Sequence, residues 1–306
     1  QVYDRAYTLC LKLAAAPELV TTLFWLASYF AVCGQLEQAL VVAQQMLAIT
    51  EEETVSDLEK IQARVLNGLP LFFMGRNEEA LTHFEQGSAL YDPQRHQPHV
   101  YKIGQDPGIA SKIWQGHTLL HMGFMAEARR CLDQALAWTA TLDHPYTAAF
   151  TSLLAGCTPN YWYLGREEEK GIKYAQATIE FAQKGDFVHL RALGMYYLGI
   201  MTVAANVNRA DKEVKEKMTE GFDLIHQGLE LEETIGSKLG VSSRWVLLAD
   251  AYRQTGQLEK AWQAVRYGEQ EINSRHERYF EAELLRIKGE LYIVAEDERM
   301  AETCWQ

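Results

Sequence analysis

The sequence predicts an all-α fold, a right-handed solenoid of antiparallel helix pairs, and three observations carry that expectation. First, a turn glycine stands five residues ahead of an alanine again and again: Gly34 and Ala39, Gly75 and Ala80, Gly123 and Ala128, Gly256 and Ala261, with Gly165 followed instead by Lys170. Second, these glycines recur roughly forty to fifty residues apart, a period that means stacked helical hairpins, none able to bury its apolar face alone. Third, a small residue lies seven positions before each glycine, at Ala27, Gly68, Gly116 and Ala249, with Thr158 the exception. A small side chain there lets the two helices of a hairpin approach closely.

The elements follow in order. Residues 2–16 carry an apolar stripe at helical spacing (Tyr3, Ala6, Tyr7, Cys10, Leu11, Leu13) and are expected to be the second helix of a preceding repeat whose first helix lies upstream. Pro17 and Glu18 open the first full unit, since proline is accepted in a first helical turn. After each turn, the second helix continues its stripe through Ala43 and Met46, Phe84 and Gly87, Leu132 and Ala135, Tyr174 and Ala177, and Val265 and Gly268. The gap between Gly165 and Gly256 spans about two units. The hidden one is assigned to Leu198-Gly199-Ile200 and to the stretch Gly221 to Gly228, with the charged residues Asn208 to Lys217 swelling the turn between its helices. Asp106-Pro107 reads as an N-cap and first helical residue ahead of Ile109, Ile113 and Trp114. The expected organisation is therefore residues 1–16 as part of a truncated repeat, then an array over 17–306 of about six hairpins plus a terminal half-repeat at Arg286 to Tyr292.

These positions resemble the tetratricopeptide repeat, a helix-turn-helix unit with small residues at two fixed positions and a glycine in its turn. The units here are longer than the usual roughly 34 residues, lack the closing proline and have Lys170 at an alanine position, which implies longer helices or loops. The connecting segments are similar to something narrower. Tyr91 to His96, Gly104 to Ala110, Asp143-His144-Pro145 and Glu281 to Leu291 look like the C-terminal repeats of large bacterial regulators. In those proteins a class III adenylate or guanylate cyclase, a kinase or another effector precedes an AAA-like or STAND-type ATPase. The resemblance implies a regulatory role and transfers no catalytic residue.

Composition narrows the partners. A formal net charge of −12 disfavours nucleic acid or an anionic membrane, because either needs a basic footprint. No run approaches the eighteen or so apolar residues that span a bilayer, and no secretory signal opens the sequence, so the cytoplasm is expected. The five cysteines, Cys10, Cys33, Cys131, Cys157 and Cys304, are widely spaced without a Cys-x-x-Cys and read as buried free thiols.

Chemistry is mostly missing from the motifs. There is no phosphate loop, no dinucleotide fingerprint, no His-Glu-x-x-His and no nucleophile elbow, so neither catalysis nor a cofactor is expected in this chain. His117 and His121 share a helix face at i,i+4 but have no third metal ligand in view, so they read as polar groove lining. His96 and His99 read as solvated loop histidines. Three consecutive glutamates, at Glu51 or at Glu167, point in different directions and read as helix starts.

The repeat register places Phe24, Phe72, His117, Trp162, Tyr196, Asp250, Arg253, Glu283 and Arg286 on or near a concave groove. An aromatic, partly charged groove suits a peptide helix or an extended segment. The leading expectation is a non-catalytic sensor that binds a protein or peptide, including the ATPase or effector domain of its own parent chain. The alternative is a small-inducer pocket inside the superhelix, walled by Trp162, Tyr163, His117 and His121.

Overall fold

A computed structural model describes Arg5 and residues 16–51, 55–102, 104–158, 168–207 and 212–306. The expected helix of residues 2–16 falls almost wholly outside them, as do Trp162, Tyr163 and the Gly165 turn. The described chain is an α-solenoid without strands among these residues. Its hairpins are α1 (Ala16–Val32) with α2 (Leu36–Thr50), α3 (Asp57–Phe73) with α4 (Asn77–Leu90) and, after a short α5 (Pro93–His96), α6 (Pro107–His121) with α7 (Met125–Thr139). Then come α8 (Pro145–Thr151) with α9 (Glu168–Lys184), α10 (Val188–Asn206) with α11 (Lys212–Ile235), α12 (Val241–Gln254) with α13 (Leu258–Arg275), and α14 (Glu281–Val294) with α15 (Glu298–Trp305). The residues counted as a terminal half-repeat thus hold one full helix and a shorter second one.

The recurring glycine has a local cause. In the first turn Gly34 adopts φ +72°, its N–H donates to the Ala31 carbonyl at 2.9 Å, and the Gln35 N–H donates to the Phe30 carbonyl at 2.8 Å. This is the Schellman closure, in which a left-handed residue satisfies the helix's last carbonyls. The large residue three positions after the small one is the acceptor in each case, as Leu71, Leu119 and Tyr252 show in the turns at Gly75, Gly123 and Gly256. The last hairpin closes the same way with Glu296 at φ +59°, so the glycine rule misses it.

The small residues do lie where the paired helices touch. A Cβ on Gly68 would fall 2.6 Å from the Phe84 ring, and one on Gly116 2.9 Å from Leu132, the large residues of the facing second helices. In the hidden unit, the contact is backbone to backbone: a Cβ on Gly199 would lie 2.4 Å from the Gly221 carbonyl oxygen. Residues 212–217, expected in the turn, are helical instead, and Lys217 pairs with Glu213 at 2.9 Å across one helical turn. The alternating charges at i and i+4 favour helix over loop there.

Helix α10 corrects one expectation. It has the length and hydropathy of a membrane span, with 56% of its apolar window buried inside the array, as a central solenoid helix requires. The cysteines are free among the described residues, but only Cys131 and Cys157 are buried; Cys33 and Cys304 are half-buried.

The superhelix also closes on itself. The Lys238 N–H donates to the Val32 carbonyl at 2.7 Å, and the Tyr279 N–H donates to the Phe73 carbonyl at 3.2 Å. Arg275 lies against Gly34 and Arg278 against Gly75, so the turns of the first two hairpins meet the loops on either side of α12 and α13. The concave face is therefore the wall of a partly open central cavity where the sequence suggested a concave groove.

Candidate functional site

The first helices of the first six hairpins turn one face inward, and together these faces wall a central cavity of about 620 Å³. Phe24 and Trp25 come from α1, Phe72 and Phe73 from α3, Trp114 and His117 from α6, and Phe150 from α8. Leu193 and Tyr197 come from α10, Arg244 from α12, and Tyr279 and Phe280 from the loop ahead of α14. Spacings such as Leu69 to Phe72 and Phe73, or Leu190 to Leu193 and Tyr197, are those of one helical face.

One aromatic knot organises this wall. Phe72 packs 5.5 Å from Trp114, 5.2 Å from Tyr279 and 6.3 Å from His117, while Phe73 meets Tyr279 at 4.7 Å. His121 joins its edge, 5.2 Å from the Phe72 ring. These separations and tilted geometries are those of favourable aromatic pairs.

His117 is 3% exposed, and its Nε2 donates to the Leu154 carbonyl at 2.7 Å. That carbonyl belongs to a π-helical turn, Ser152–Cys157, which continues α8. Such a turn shifts the helical bonding register and frees carbonyls for other donors; Thr158 Oγ1 also bonds Leu154 at 3.0 Å. A carbonyl accepts only, so Nε2 carries the proton of this bond. Burial pulls its pKa down to about 4, the coulombic effect of His121 adding in the same direction and the Leu154 bond opposing.

The depressed value sets a sign. The unfolded histidine takes up a proton near pH 6.5 while the folded one does not, so stability is intact above that pH and falls as pH drops toward 4, by about 3 kcal/mol. Urea titrations of the wild type and of His117→Gln between pH 7 and pH 4 check this. The wild type should lose more stability than the variant across that window, and parallel losses would show that His117 is not the titrating group.

The far end of the cavity is polar. Arg244, 3% exposed, lies 3.3 Å from Glu232 Oε2, whose other oxygen lies 2.7 Å from His189 Nδ1. The bond from His189 and the charge of Arg244 outweigh burial and hold the Glu232 carboxyl below its ordinary range. Tyr279 Oη donates to Ser243 Oγ at 2.6 Å, which donates to the Gly240 carbonyl at 2.9 Å. The buried Glu277 accepts from the N–H groups of Gly240 and Ser242, at 2.5 and 2.9 Å, at the start of α12.

The residues expected along one groove thus separate. Phe24, Phe72 and His117 line the cavity, with His121 against its aromatic knot. Trp162 and Tyr163 lie outside the described residues. Tyr196 is fully buried away from the cavity: its neighbour Tyr197 faces inward, while Tyr196 sits over Gly228 and donates to the Arg244 carbonyl at 2.5 Å. Asp250, Arg253, Glu283 and Arg286 line a different place, the contact of α12 with α14. Arg253 bridges Asp250 at 2.7 Å and Glu290 at 2.8 Å, and Arg286 pairs with Glu283 at 2.6 Å and with Glu290. The hydrogen bond to Glu283, with the charges of Glu283, Asp250 and Glu290 adding to it against burial, holds Arg286 above its ordinary pKa, and the acids shared with Arg253 staple neighbouring hairpins.

His96 is likewise buried, its Nδ1 accepting from the Asp92 N–H at 3.0 Å and its Nε2 3.8 Å from Asp57. The linker around it is tied down, with Asp106 capping α6 through the Ile109 N–H at 2.9 Å, as its sequence suggests. No cluster of three metal-ligating side chains occurs among the described residues. Reasoning from sequence missed Trp114 as a wall, along with Tyr197, Arg244 and Tyr279. A single arginine inside the otherwise uncharged run Val241 to Leu248 was the available signal.

No protein-family model and no curated protein matches the sequence. Solved structures do match in shape. A Rap protein complexed with competence and sporulation factor aligns with a TM-score of 0.66 at 13% identity, covering 94% of this chain and 72% of that one. The Rap conjugation gene regulator of plasmid pLS20, in complex with the Phr* peptide, gives 0.63 at 12% identity over the same shares. A STAND signal-transduction ATPase with a tetratricopeptide repeat sensor from Pyrococcus horikoshii gives 0.57 at 13% identity, covering 98% of this chain and 42% of that one. At such identities the likeness is one of fold, and the chain is a tetratricopeptide-like helical array.

Proposed function

We propose that this chain is a non-catalytic sensor module that takes an apolar peptide segment into its central cavity and passes the occupancy to a larger signalling protein. The observation that carries the reading is the cavity itself, walled by the first helices of six successive hairpins. An occupant touching all six walls has different contacts in a tighter or looser superhelix, and only such differential contacts shift a conformational equilibrium. Peptide complexes among the similar folds support the choice of ligand, and the STAND ATPase with its repeat sensor supports the choice of context.

The fuller form rests on the connecting segments Tyr91 to His96, Gly104 to Ala110 and Glu281 to Leu291. It puts the array behind a cyclase or kinase effector and a STAND-type ATPase in the cytoplasm, where the partner segment comes from another protein or from the parent chain. A second reading, a small apolar inducer, is favoured by the volume, since pockets of about 300–1,000 Å³ suit single small molecules.

Thermal midpoints measured with increasing ligand separate the two, because a ligand that binds only the folded state raises the midpoint by mass action. A pool of N-acetylated pentapeptides of leucine, isoleucine, valine and phenylalanine is expected to raise it. Stabilisation by small apolar metabolites alone would move the assignment to the second reading, and a midpoint unmoved by either would overturn both.

A further inference from the structure

The wall of the cavity is mostly apolar, with polar side chains at Gln105, His117 and Thr158, and the charged group it presents is Arg244. This side chain is 3% exposed, yet one nitrogen, Nη2, carries both of its contacts, to Glu232 at 3.3 Å and to the Leu239 carbonyl at 3.1 Å. Nε and Nη1 donate to no other described residue. A guanidinium has five N–H donors in a planar fork, and donors left unused in an apolar space cost free energy that an acceptor on a ligand recovers.

The acids nearby do not reverse this sign. Glu232 and Glu277 are buried behind the wall and do not line the cavity, whereas Arg244 and His189 do. Glu232 is shared between His189 and Arg244, and Glu277 is held by the first N–H groups of α12. Facing an occupant, then, are a guanidinium with free donors, an imidazole and the hydroxyl of Ser243. An ammonium group there would bring further N–H donors to a fork that is itself a donor and would find no carboxylate on the wall. A carboxylate would meet the fork that matches its two oxygens.

We infer that the ligand of this cavity is an apolar body ending in a carboxylate, with Arg244 as its anchor and Phe150, Leu154, Leu193 and Trp114 around the body. The inference rests on the cavity reading above and names the chemistry of its ligand. Two sources supply that chemistry, the C-terminal end of an apolar peptide and a free alkyl carboxylic acid.

Calorimetric titration of the whole chain tests it with matched probes. One arm compares the N-acetylated apolar pentapeptide pool with free carboxylate and with carboxamide ends; the other compares decanoate, decanol and decylamine. In whichever arm binds, the carboxylate is expected to exceed its neutral analogue by about ten- to a hundredfold, the worth of charge-assisted hydrogen bonds. The double variant Arg244→Met with Glu232→Gln removes both partners of the ion pair together, while Glu277 keeps the N–H donors of Gly240 and Ser242. It is expected to keep the affinity for the neutral analogue and lose the preference, while Arg244→Lys keeps the charge without the fork and retains only part of it. Equal binding of acid and neutral forms, a preference for the amine, or a preference that survives in the double variant would overturn the anchor and leave the cavity reading standing. Binding of neither probe in any form would remove the cavity reading, and the anchor with it.

Discussion

Valine at Gly199 separates α10 from α11 and lowers the stability of the array by about 3 kcal/mol or more, the upper range for overpacking a core. The reason is what the new Cβ would strike. It would lie 2.4 Å from the Gly221 carbonyl oxygen and 2.9 Å from the Ile225 nitrogen, both backbone atoms, so no side-chain rotation relieves the clash. Gly221 and Gly228 on α11 fit the same close approach: a Cβ on Gly228 would fall 2.7 Å from the Ala192 carbonyl oxygen. The helices must move apart, and with them Tyr196, Ile200 and Ile225, all buried between them. Each repeat is held by its neighbours, so the damage spreads along the solenoid. Thermal and urea denaturation of Gly199→Val check this. A midpoint within a degree or two of the wild type would show that α10 and α11 do not meet through these glycines.

Alanine at Tyr279 opens the ring. The phenol joins the two ends of the array: its ring packs on Phe72 and Phe73 of α3, its Oη bonds Ser243 of α12, and its own N–H bonds the Phe73 carbonyl. Burial, with the negative charge of Glu277 adding to it, drives its pKa well above the usual phenol range, so the hydroxyl stays a donor at every ordinary pH. Removing a packed aromatic ring costs about 3 kcal/mol. Here the cost falls on the closure, which would keep the backbone bonds of Lys238 and residue 279, the contacts of Arg275 and Arg278, Leu239 on the cluster around Phe73, and Phe280 against His121. Small-angle scattering of Tyr279→Ala should show a larger radius of gyration with undiminished helical circular dichroism. Tyr279→Phe keeps the rings and loses about 1 kcal/mol of hydrogen bond, so it should stay compact. An alanine variant as compact as the wild type would mean that the other contacts suffice.

The two outcomes bear on different parts of what the sequence made legible. Gly199 was placed in a hidden repeat from a gap of two periods, and the structure pairs α10 with α11 around it. Tyr279 carried no such signal. It follows no turn glycine, belongs to no helix stripe and precedes α14 by two residues. The candidate groove fared in the same way. Phe24, Phe72 and His117 were placed on the inner face because each follows the first-helix register. Tyr196 was assigned one position away from Tyr197, and on a helix one position is a rotation of about 100°, enough to exchange a cavity wall for the core. The charged set at Asp250, Arg253, Glu283 and Arg286 follows the register too, but it sits where the last first-helices pack on each other.

What the sequence by itself determined is the part that repeats: hairpins, their turn glycines, the small residues where paired helices cross and the all-α class. Those features depend on contacts within one unit or between adjacent units, and local periodicity records them. Only the tertiary structure decided that the solenoid closes, that Phe73 meets Tyr279 and Val32 meets Lys238, and that a cavity with Arg244 at one end results. Closure depends on the small rotation between successive hairpins summed over the array, and a sum of small angles leaves no mark at any one residue.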